Sequence, residues 1–385
     1  MILVALLTTM VVEKYFGKQD LVSPVDQLSR FKFIQTRVSR KPKTKKIVYG
    51  FLPYWNLDRF KLNSALTHLA YFRLTIDQNG KIKTQEKTKP EIGYARLKSD
   101  RFLQALNQLE KNQIKFEIVF AIFNSTTAKN LLNSTSAQEN FFKELDSLIL
   151  AYPVSGINLD VELDNSSGAK LRSQFTRFVA KLIKHLKSKP QAPKLSIDVY
   201  LSAAENKNIW DLTKLSNEVD YIILMAYDFH QRSSSQAGPV APIFGGGDIF
   251  AKDIHSYLKE TLKKTPANKL LLGVPFYGYQ WQTVDNTTYA KTYPNTGRAV
   301  FYSQVIQLLK EPKVKRSWNS KALSPYLTFK KDGKHYVLYY EDKNSLHYKL
   351  ELANQLDLAG IAIWALGYEG SSPELWQKIT QNLSN

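Results

Sequence analysis

The sequence contains no cysteine among its 385 residues. It therefore has no disulfide framework, no thiolate nucleophile and no cysteine-ligated zinc site. This absence argues mildly against a eukaryotic secreted protein, which would usually carry disulfides, whereas an exported bacterial protein fits. The six histidines form no H-E-x-x-H or other paired spacing. We therefore expect neither a metal site nor a cofactor.

Long apolar runs are also missing. The run from Ile2 to Val12 is interrupted by Thr8 and Thr9, and a transmembrane helix needs about 20 apolar residues. Its length suits the core of a signal peptide, although a basic stretch before it and an A-x-A cleavage site after it are absent. We interpret residues 1–17 as a truncated signal, an uncleaved membrane anchor or an amphipathic helix packed on the domain. We expect a secreted or extracytoplasmic bacterial protein.

Acidic residues are outnumbered, because 34 Asp and Glu face 53 Lys and Arg, a formal net charge of +19. Nucleic-acid binding is one possible meaning, but the chain has no nucleic-acid motif, no basic helix and no alternation of Arg with aromatic residues. We expect no nucleic-acid partner, and weak attraction to an anionic surface such as a cell wall or lipid headgroups instead. Residues 18–46 are polar and basic without a clear period, which predicts a linker before a folded domain at 47–383.

Within that domain, apolar segments of strand length alternate with segments of helical periodicity. The predicted strands are 47–55, 66–76, 116–123, 154–162, 195–201, 219–227, 269–277 and 358–364. An open doubly wound sheet would alternate too, but it would carry a glycine-rich phosphate loop after an early strand. Gly245-Gly246-Gly247 lacks the Lys-Ser/Thr that such a loop requires. The order therefore predicts an α/β fold, the closed TIM (β/α)8 barrel.

The seventh and eighth predicted strands are too far apart in sequence to be joined by one helix. Between them, Tyr326–Phe329 and Tyr336–Tyr340 flank Lys331-Asp332-Gly333-Lys334, a strong signal for a β-hairpin. We predict a small α+β insertion subdomain at residues 282–350, with a helix over 343–355 that returns to the barrel.

The segment Val154–Glu162 is the predicted strand whose polar and acidic residues we interpret as candidates for catalysis. Its apolar and polar residues alternate, and a period of two sends the two sets to opposite faces. The polar face carries Asn158, Asp160 and Glu162 toward its C-terminal end, where catalytic groups lie in such barrels. A half-exposed strand would also alternate, but its acids would more often be scattered than gathered at one end.

Residues 155–162, S-G-I-N-L-D-V-E, resemble the D-G-x-D-x-D-x-E signature of the family eighteen glycoside hydrolases, the chitinases and their relatives. Ser155 and Asn158 stand where the signature has Asp. The motifs that resemble those of the family at later strand ends are M-A-Y-D at 225–228, G-V-P-F-Y-G-Y-Q-W at 273–281 and G-I-A-I-W at 360–364. Ile122-Phe123-Asn124 replaces the small-Gly-Gly turn of many chitinases, which predicts a differently shaped cleft there. The resemblance covers most of residues 47–383.

The resemblance implies a retaining, substrate-assisted hydrolase of β-1,4 linkages next to N-acetylglucosamine, in chitin or peptidoglycan. It implies that Glu162 is the acid/base, that Asp160 holds the acetamido N–H, and that Tyr227 hydrogen-bonds the acetamido carbonyl. The substrate-binding residues implied by the resemblance are Phe51, Asn124, Met225, Asp228, Tyr279, Trp281 and Trp364.

We count Asn158 among the catalytic residues, since its amide is expected to donate a hydrogen bond to Asp160. The rival interpretation is a non-catalytic, chitinase-like carbohydrate-binding protein on the same barrel. Such relatives typically lose the terminal Glu, and Glu162 is present. We expect a monomeric enzyme.

Overall fold

The computed structural model describes residues 45–163, 168–205, 207–247 and 250–383. The predicted segment 1–17 and the linker up to residue 44 lie outside the described residues, and the domain boundaries stay predictions. Across these four ranges, we find no helix of sufficient length and apolarity to span a bilayer.

Eight parallel strands close into a barrel, so the predicted fold class is confirmed. They are β1 (Ile47–Pro53), β2 (His68–Leu74), β3 (Lys115–Ala121), β4 (Val154–Asp160), β5 (Lys194–Tyr200), β6 (Tyr221–Met225), β7 (Leu270–Pro275) and β8 (Gly360–Trp364). Each strand pairs with its neighbour in sequence, and β8 closes on β1 with Gly360 opposite Ile47. All eight C-terminal strand ends therefore meet at one face.

Helices lie between the strands. They are α1 (Ile92–Leu97), α2 (Asp100–Lys111), α3 (Ser125–Asn133), α4 (Thr135–Ala151), α5 (Gly168–Lys187), α6 (Leu212–Glu218), α7 (Ile254–Thr261), α8 (Tyr302–Leu308), α9 (Lys343–Gln355) and α10 (Glu374–Leu383). Helix α2 begins just after Ser99, whose hydroxyl accepts the backbone N–H of Phe102 at 3.3 Å and so caps the helix.

An antiparallel sheet of five strands follows β7, and we call it the insertion sheet. Its strands are Tyr277–Thr283, Arg298–Phe301, Lys315–Asn319, Ser324–Lys331 and Lys334–Tyr339. The predicted hairpin is present, with Lys331 paired to Lys334. Asp332 and Gly333 form its turn with φ of 51° and 73°, the left-handed values that a two-residue hairpin turn requires. Helix α9 then leads to β8.

The barrel interior has an apolar side and a polar side. Tyr49, Phe51, Phe72, Val119 and Leu271 belong to one buried apolar cluster. On the side of β3, β4 and β5 the inward positions carry buried polar residues: Glu117, Asn158, Ser196 and Asp198. Gly156 makes room for this group, because a Cβ there would lie 2.8 Å from Oε1 of Glu117. The polar side leads up to the C-terminal strand ends.

Candidate active site

An open cleft of about 980 Å³ lies at the C-terminal ends of the barrel strands. Its polar lining includes a group of acids and phenols, Asp160, Glu162, Asp198, Tyr200, Tyr227 and Asp228, together with the cations Arg73 and Lys252. Aromatic rings, among them Trp55, Phe72, Phe123 and Trp364, line other parts of it. A cleft that combines ring faces with buried acids suits a sugar chain, which presents both apolar faces and hydroxyl groups.

Glu162 follows the end of β4 by two residues and is half-buried in the cleft. Burial raises the pKa of its carboxyl, a hydrogen bond from the Tyr200 hydroxyl opposes this, and the negative charge of Asp228 adds to the rise. A carboxyl with a raised pKa keeps its proton to higher pH than a solvated one. Glu162 therefore has the property that a general acid needs.

Asp160 and Asp198 lie opposite each other on the adjacent strands β4 and β5. Both side chains reach the cleft although the residues are 4% and 3% exposed. Burial raises the pKa of both well above the usual range; the charges of Asp198 and Glu162 raise that of Asp160 further, while Arg73 opposes the rise. Two buried carboxyls at one register level of adjacent strands resist ionising together, so their protonation is coupled.

Asn158 lies beneath this pair and is fully buried. Its Nδ2 donates to Oδ1 of Asp198 at 2.8 Å and to the Ser196 hydroxyl at 3.0 Å. The expected hydrogen bond to Asp160 is therefore wrong. Both amide hydrogens go to β5 instead, to Ser196 opposite Asn158 in the strand register and to Asp198, the next inward residue of that strand. The Asn158 amide donates to residues of β5, and Oδ1 of Asp160 has no hydrogen-bond partner among the described residues.

A hydrogen-bonded column continues from Asn158 toward the opposite end of the barrel. Ser196 donates to Oε2 of Glu117 at 3.4 Å, and the Tyr49 hydroxyl donates to the same oxygen at 2.8 Å. Burial raises the pKa of Glu117 to about 7, against the lowering effect of these two donors. The column holds Asn158 in one orientation, since its amide is tied to both Ser196 and Asp198.

Tyr227 follows β6 and points its ring into the cleft. Its neighbour across the sheet is Gly273 of β7, where a Cβ would lie 2.9 Å from Cε1 of Tyr227 and 2.4 Å from the Leu224 carbonyl oxygen. Only glycine leaves space for the tyrosine ring there. Burial raises the pKa of Tyr227 well above its usual range, so its hydroxyl remains a neutral hydrogen-bond donor.

Asp228 is held by tyrosines of the insertion sheet. It accepts hydrogen bonds from the hydroxyls of Tyr277 and Tyr279, the latter at 3.1 Å. Its φ of 62° is in the left-handed region, which is unfavourable for most side chains and is found at positions that the surrounding structure holds firmly. Tyr279 and Trp281 do not line the cleft: Tyr279 acts on Asp228, and Trp281 is fully buried with its Nε1 donating to the Gln231 carbonyl at 2.9 Å.

Trp364, at the end of β8, lies half-buried in the cleft. Its ring packs edge-on against Phe72 at 4.6 Å between centroids and lies tilted against Phe51 at 5.7 Å. Phe51 is 2% exposed and supports Trp364 without lining the cleft. Asn124 lies outside the cleft lining as well, and its side chain caps α3 by accepting the Thr127 N–H at 2.9 Å.

Of the residues predicted from the sequence, the cleft brings together six: Asp160, Glu162, Met225, Tyr227, Asp228 and Trp364. It does not include Phe51, Asn124, Asn158, Tyr279 or Trp281. Sequence reasoning missed Asp198, Tyr200 and Arg73. A signal for the first two was available, because the predicted strand 195–201 alternates in the same way as 154–162 and carries both of them on its polar face.

No metal ligand set appears in the described ranges, where no group of three or more His, Asp or Glu could hold an ion.

Comparisons with known proteins agree with this geometry. The family model described as glycosyl hydrolases family 18 matches residues 31–369. The chain is similar to the uncharacterized glycosylase YvbX of Bacillus subtilis, with 26% identity over 83% of this chain and 85% of the relative. It is also similar to a cortical fragment-lytic enzyme of Bacillus anthracis, with 21% identity over 84% of this chain and 69% of the relative.

Among solved structures, the Group IV chitinase of Ostrinia furnacalis superposes with a TM-score of 0.76 and 22% identity, covering 88% of this chain and 100% of the chitinase chain. That likeness shows the same fold. The family match spans most of the chain and includes every strand of the barrel up to β8. The chain therefore belongs to the glycosyl hydrolases of family 18, and it is a glycosidase.

Proposed function

We propose that the protein hydrolyses β-1,4 glycosidic bonds next to N-acetylglucosamine, in chitin or peptidoglycan, with retention of configuration and with the substrate's own 2-acetamido oxygen as nucleophile. The observation that carries the proposal is the placement of Glu162, Asp160 and Tyr227 around one cleft beside the Trp364 ring. These groups supply an acid, an anion and a neutral donor where one sugar ring would lie.

Glu162 acts first as general acid. Its raised pKa keeps the proton available, and the proton passes to the glycosidic oxygen as the bond to the leaving sugar breaks. The same carboxylate then removes a proton from the water that opens the oxazolinium intermediate, which returns Glu162 to its starting state.

Asp160 and Tyr227 act on the acetamido group. Asp160 accepts its N–H and, as an anion, stabilises the positive charge of the oxazolinium ion. The Tyr227 hydroxyl donates to the acetamido carbonyl and holds that oxygen in line with the anomeric carbon. Trp364 lies under the sugar and contributes ring-face contact. Asp228 supports the arrangement through its tyrosine partners.

The names of relatives and the charge of the chain support the proposed substrate and location. Relatives include a cortical fragment-lytic enzyme of Bacillus anthracis and a class V chitinase of Arabidopsis thaliana. A formal charge of +19 favours contact with an anionic wall or membrane surface. We place the enzyme outside the cytoplasm as a monomer, held near that surface by the residues before 47.

The test is Glu162→Gln, with the exposed Glu110→Gln of α2 as matched control. We expect kcat on a chromogenic N-acetylglucosamine oligomer to fall by about 10²- to 10⁴-fold, the usual contribution of a general acid. Oligosaccharide binding should remain, because only proton transfer is lost. Unchanged turnover by Glu162→Gln contradicts the mechanism.

Substrate class is tested by product analysis on chitin and peptidoglycan side by side, with a cello-oligomer that lacks the 2-acetamido group. We expect no cleavage of the cello-oligomer, since the nucleophile is missing. Comparable rates on cellulose and chitin oligomers refute substrate assistance. Binding of both acetamido polymers without any hydrolysis identifies a carbohydrate-binding protein instead.

A further inference from the structure

The sequence has Asn158 where the family signature has Asp, which leaves Asp160 without a carboxyl two residues before it on its own strand. The structure supplies one from the next strand. Asp198 of β5 lies opposite Asp160 in the strand register, and both side chains reach the cleft. Neighbouring parallel strands are about 4.8 Å apart, so two inward side chains at the same register level lie side by side.

We propose that Asp198 is the positioning residue that exchanges a proton with Asp160 during the reaction. This inference rests on the proposed function and names the group that sets the charge of Asp160. In the resting enzyme Asp198 is the anion and Asp160 carries the proton. When the substrate's acetamido N–H reaches Asp160, the proton moves from Asp160 to Asp198, and Asp160 becomes the anion. One O–H bond breaks and one forms, and the net charge of the pair stays at minus one.

The hydrogen bonds decide where the resting charge lies. Asn158 donates to Oδ1 of Asp198 at 2.8 Å, and a donor stabilises the ionised form of a carboxyl. Oδ1 of Asp160 has no hydrogen-bond partner among the described residues, so no donor at that oxygen favours its anion until substrate arrives, and the charge of Arg73 is the opposing influence. Asn158 itself is held by Ser196. The amide therefore directs the charge to β5.

The surroundings of Asp198 contain other groups that carry or gain charge. They are Tyr49 of β1, Arg73 of β2, Glu117 of β3, Asp160 of β4, Glu162 just after β4, Tyr200 of β5 and Tyr227 just after β6. The negative charges of Glu162 and Glu117 raise the pKa of Asp198 and the Asn158 donor lowers it. Arg73 acts on Asp160 in the opposite sense to its carboxylate neighbours. The neighbouring carboxylates therefore disfavour ionisation of both Asp160 and Asp198, whereas Asn158 and Arg73 stabilise a single negative charge on the two residues.

The test compares kcat/KM from pH 4 to 8 for wild type, Asp198→Asn, and the exchanged variant Asn158→Asp/Asp198→Asn. In Asp198→Asn the only carboxyl left to ionise in the pair is Asp160, which is buried and lacks a donor. We expect kcat/KM at the optimum to fall by about 10²-fold, the scale of losing one preorganised charged group. We also expect the acidic limb of the profile to move toward higher pH.

The exchanged variant returns a carboxylate to the cluster at position 158, with the new amide at 198 able to donate to it across the same 2.8 Å contact. We expect it to recover most of the activity and the position of the acidic limb. Asp146→Asn on the outer helix α4, where Asp146 pairs with Lys189, is the matched control. Melting temperatures of all variants separate a loss of fold from a loss of proton exchange.

Two results overturn the inference. One is an Asp198→Asn profile that overlays wild type; the other is an inactive exchanged variant that melts like wild type. Measuring Glu162→Gln in the same assay separates a failure of the proposed function from a failure of the role of Asp198. If Glu162→Gln is inactive while Asp198→Asn behaves as wild type, the proposed function stands and the role of Asp198 falls. If Glu162→Gln is fully active, the proposed function itself fails.

Discussion

Asn158→Asp is the substitution whose effect can be worked out most fully, because a neutral donor becomes a further acid beside the buried Glu117, Asp160 and Asp198. Nδ2 of Asn158 lies 2.8 Å from Oδ1 of Asp198. The new carboxyl occupies the position of the amide. While protonated it still donates a hydrogen bond to Asp198, so the variant should resemble wild type at low pH. Once ionised it faces Asp198 with like charge.

The magnitude follows from Coulomb's law. Two unit charges 2.8 Å apart repel by about 1.5 kcal/mol with the dielectric constant of water and about 6 kcal/mol at an effective value of 20. At about 1.4 kcal/mol for each pKa unit, the pKa of the introduced Asp should rise by about one to four units above its unfolded value near 3.9. The folded-state pKa is raised, so the stability difference from wild type is small below pH 3.9 and grows as pH rises through the folded pKa.

The assay is the free energy of unfolding by urea at pH 4 and pH 8, for wild type and Asn158→Asp. We expect a small difference at pH 4 and a loss of about 1.5 to 6 kcal/mol at pH 8. The control is Asn107→Asp on the exposed face of α2, which should show no such pH dependence. A loss of equal size at both pH values would refute the placement of an ionised Asp198 beside position 158.

Two further predictions concern a cleft residue and a buried ion pair outside the cleft. Tyr227→Phe should lower kcat by about 10²- to 10³-fold with little change in KM, since the hydroxyl stabilises a charge that develops in the transition state. Steady-state kinetics measure both constants, and a defect confined to KM would contradict this role. Lys349 pairs with Glu341 at 2.6 Å, both fully buried, and burial raises the pKa of Glu341 to about 7. Lys349→Met should therefore cost about 3–5 kcal/mol of unfolding free energy at pH 8 and less at pH 5, where Glu341 is protonated. The double variant Glu341→Gln/Lys349→Met should recover much of this loss. Urea denaturation at both pH values measures these differences, and a double variant no more stable than the single one would argue against the pair.

The fold was predictable from local pattern. Period-two and helical runs marked all eight barrel strands and the helix over 343–355, because burial against a core imposes these periods on any sequence that forms such elements. Helix ends were harder to predict. The start of α2 after Ser99 depends on one side-chain hydrogen bond from the Phe102 N–H, and serine also occurs inside helices.

The acid at the end of β4 was also predictable, since Asp160 and Glu162 lie on the polar face of one strand and periodicity alone orders that face. What only the tertiary structure decided was the partner of each group. Asn158 was expected to serve Asp160, two residues along the chain, yet it bonds Asp198, 40 residues away. Asn158 lies opposite Ser196 in the strand register, and Asp198 is the next inward residue of that neighbouring strand, so the amide donates to both. Pairing across strands, and with it the charge of the site, therefore depends on register, which no single strand's sequence contains.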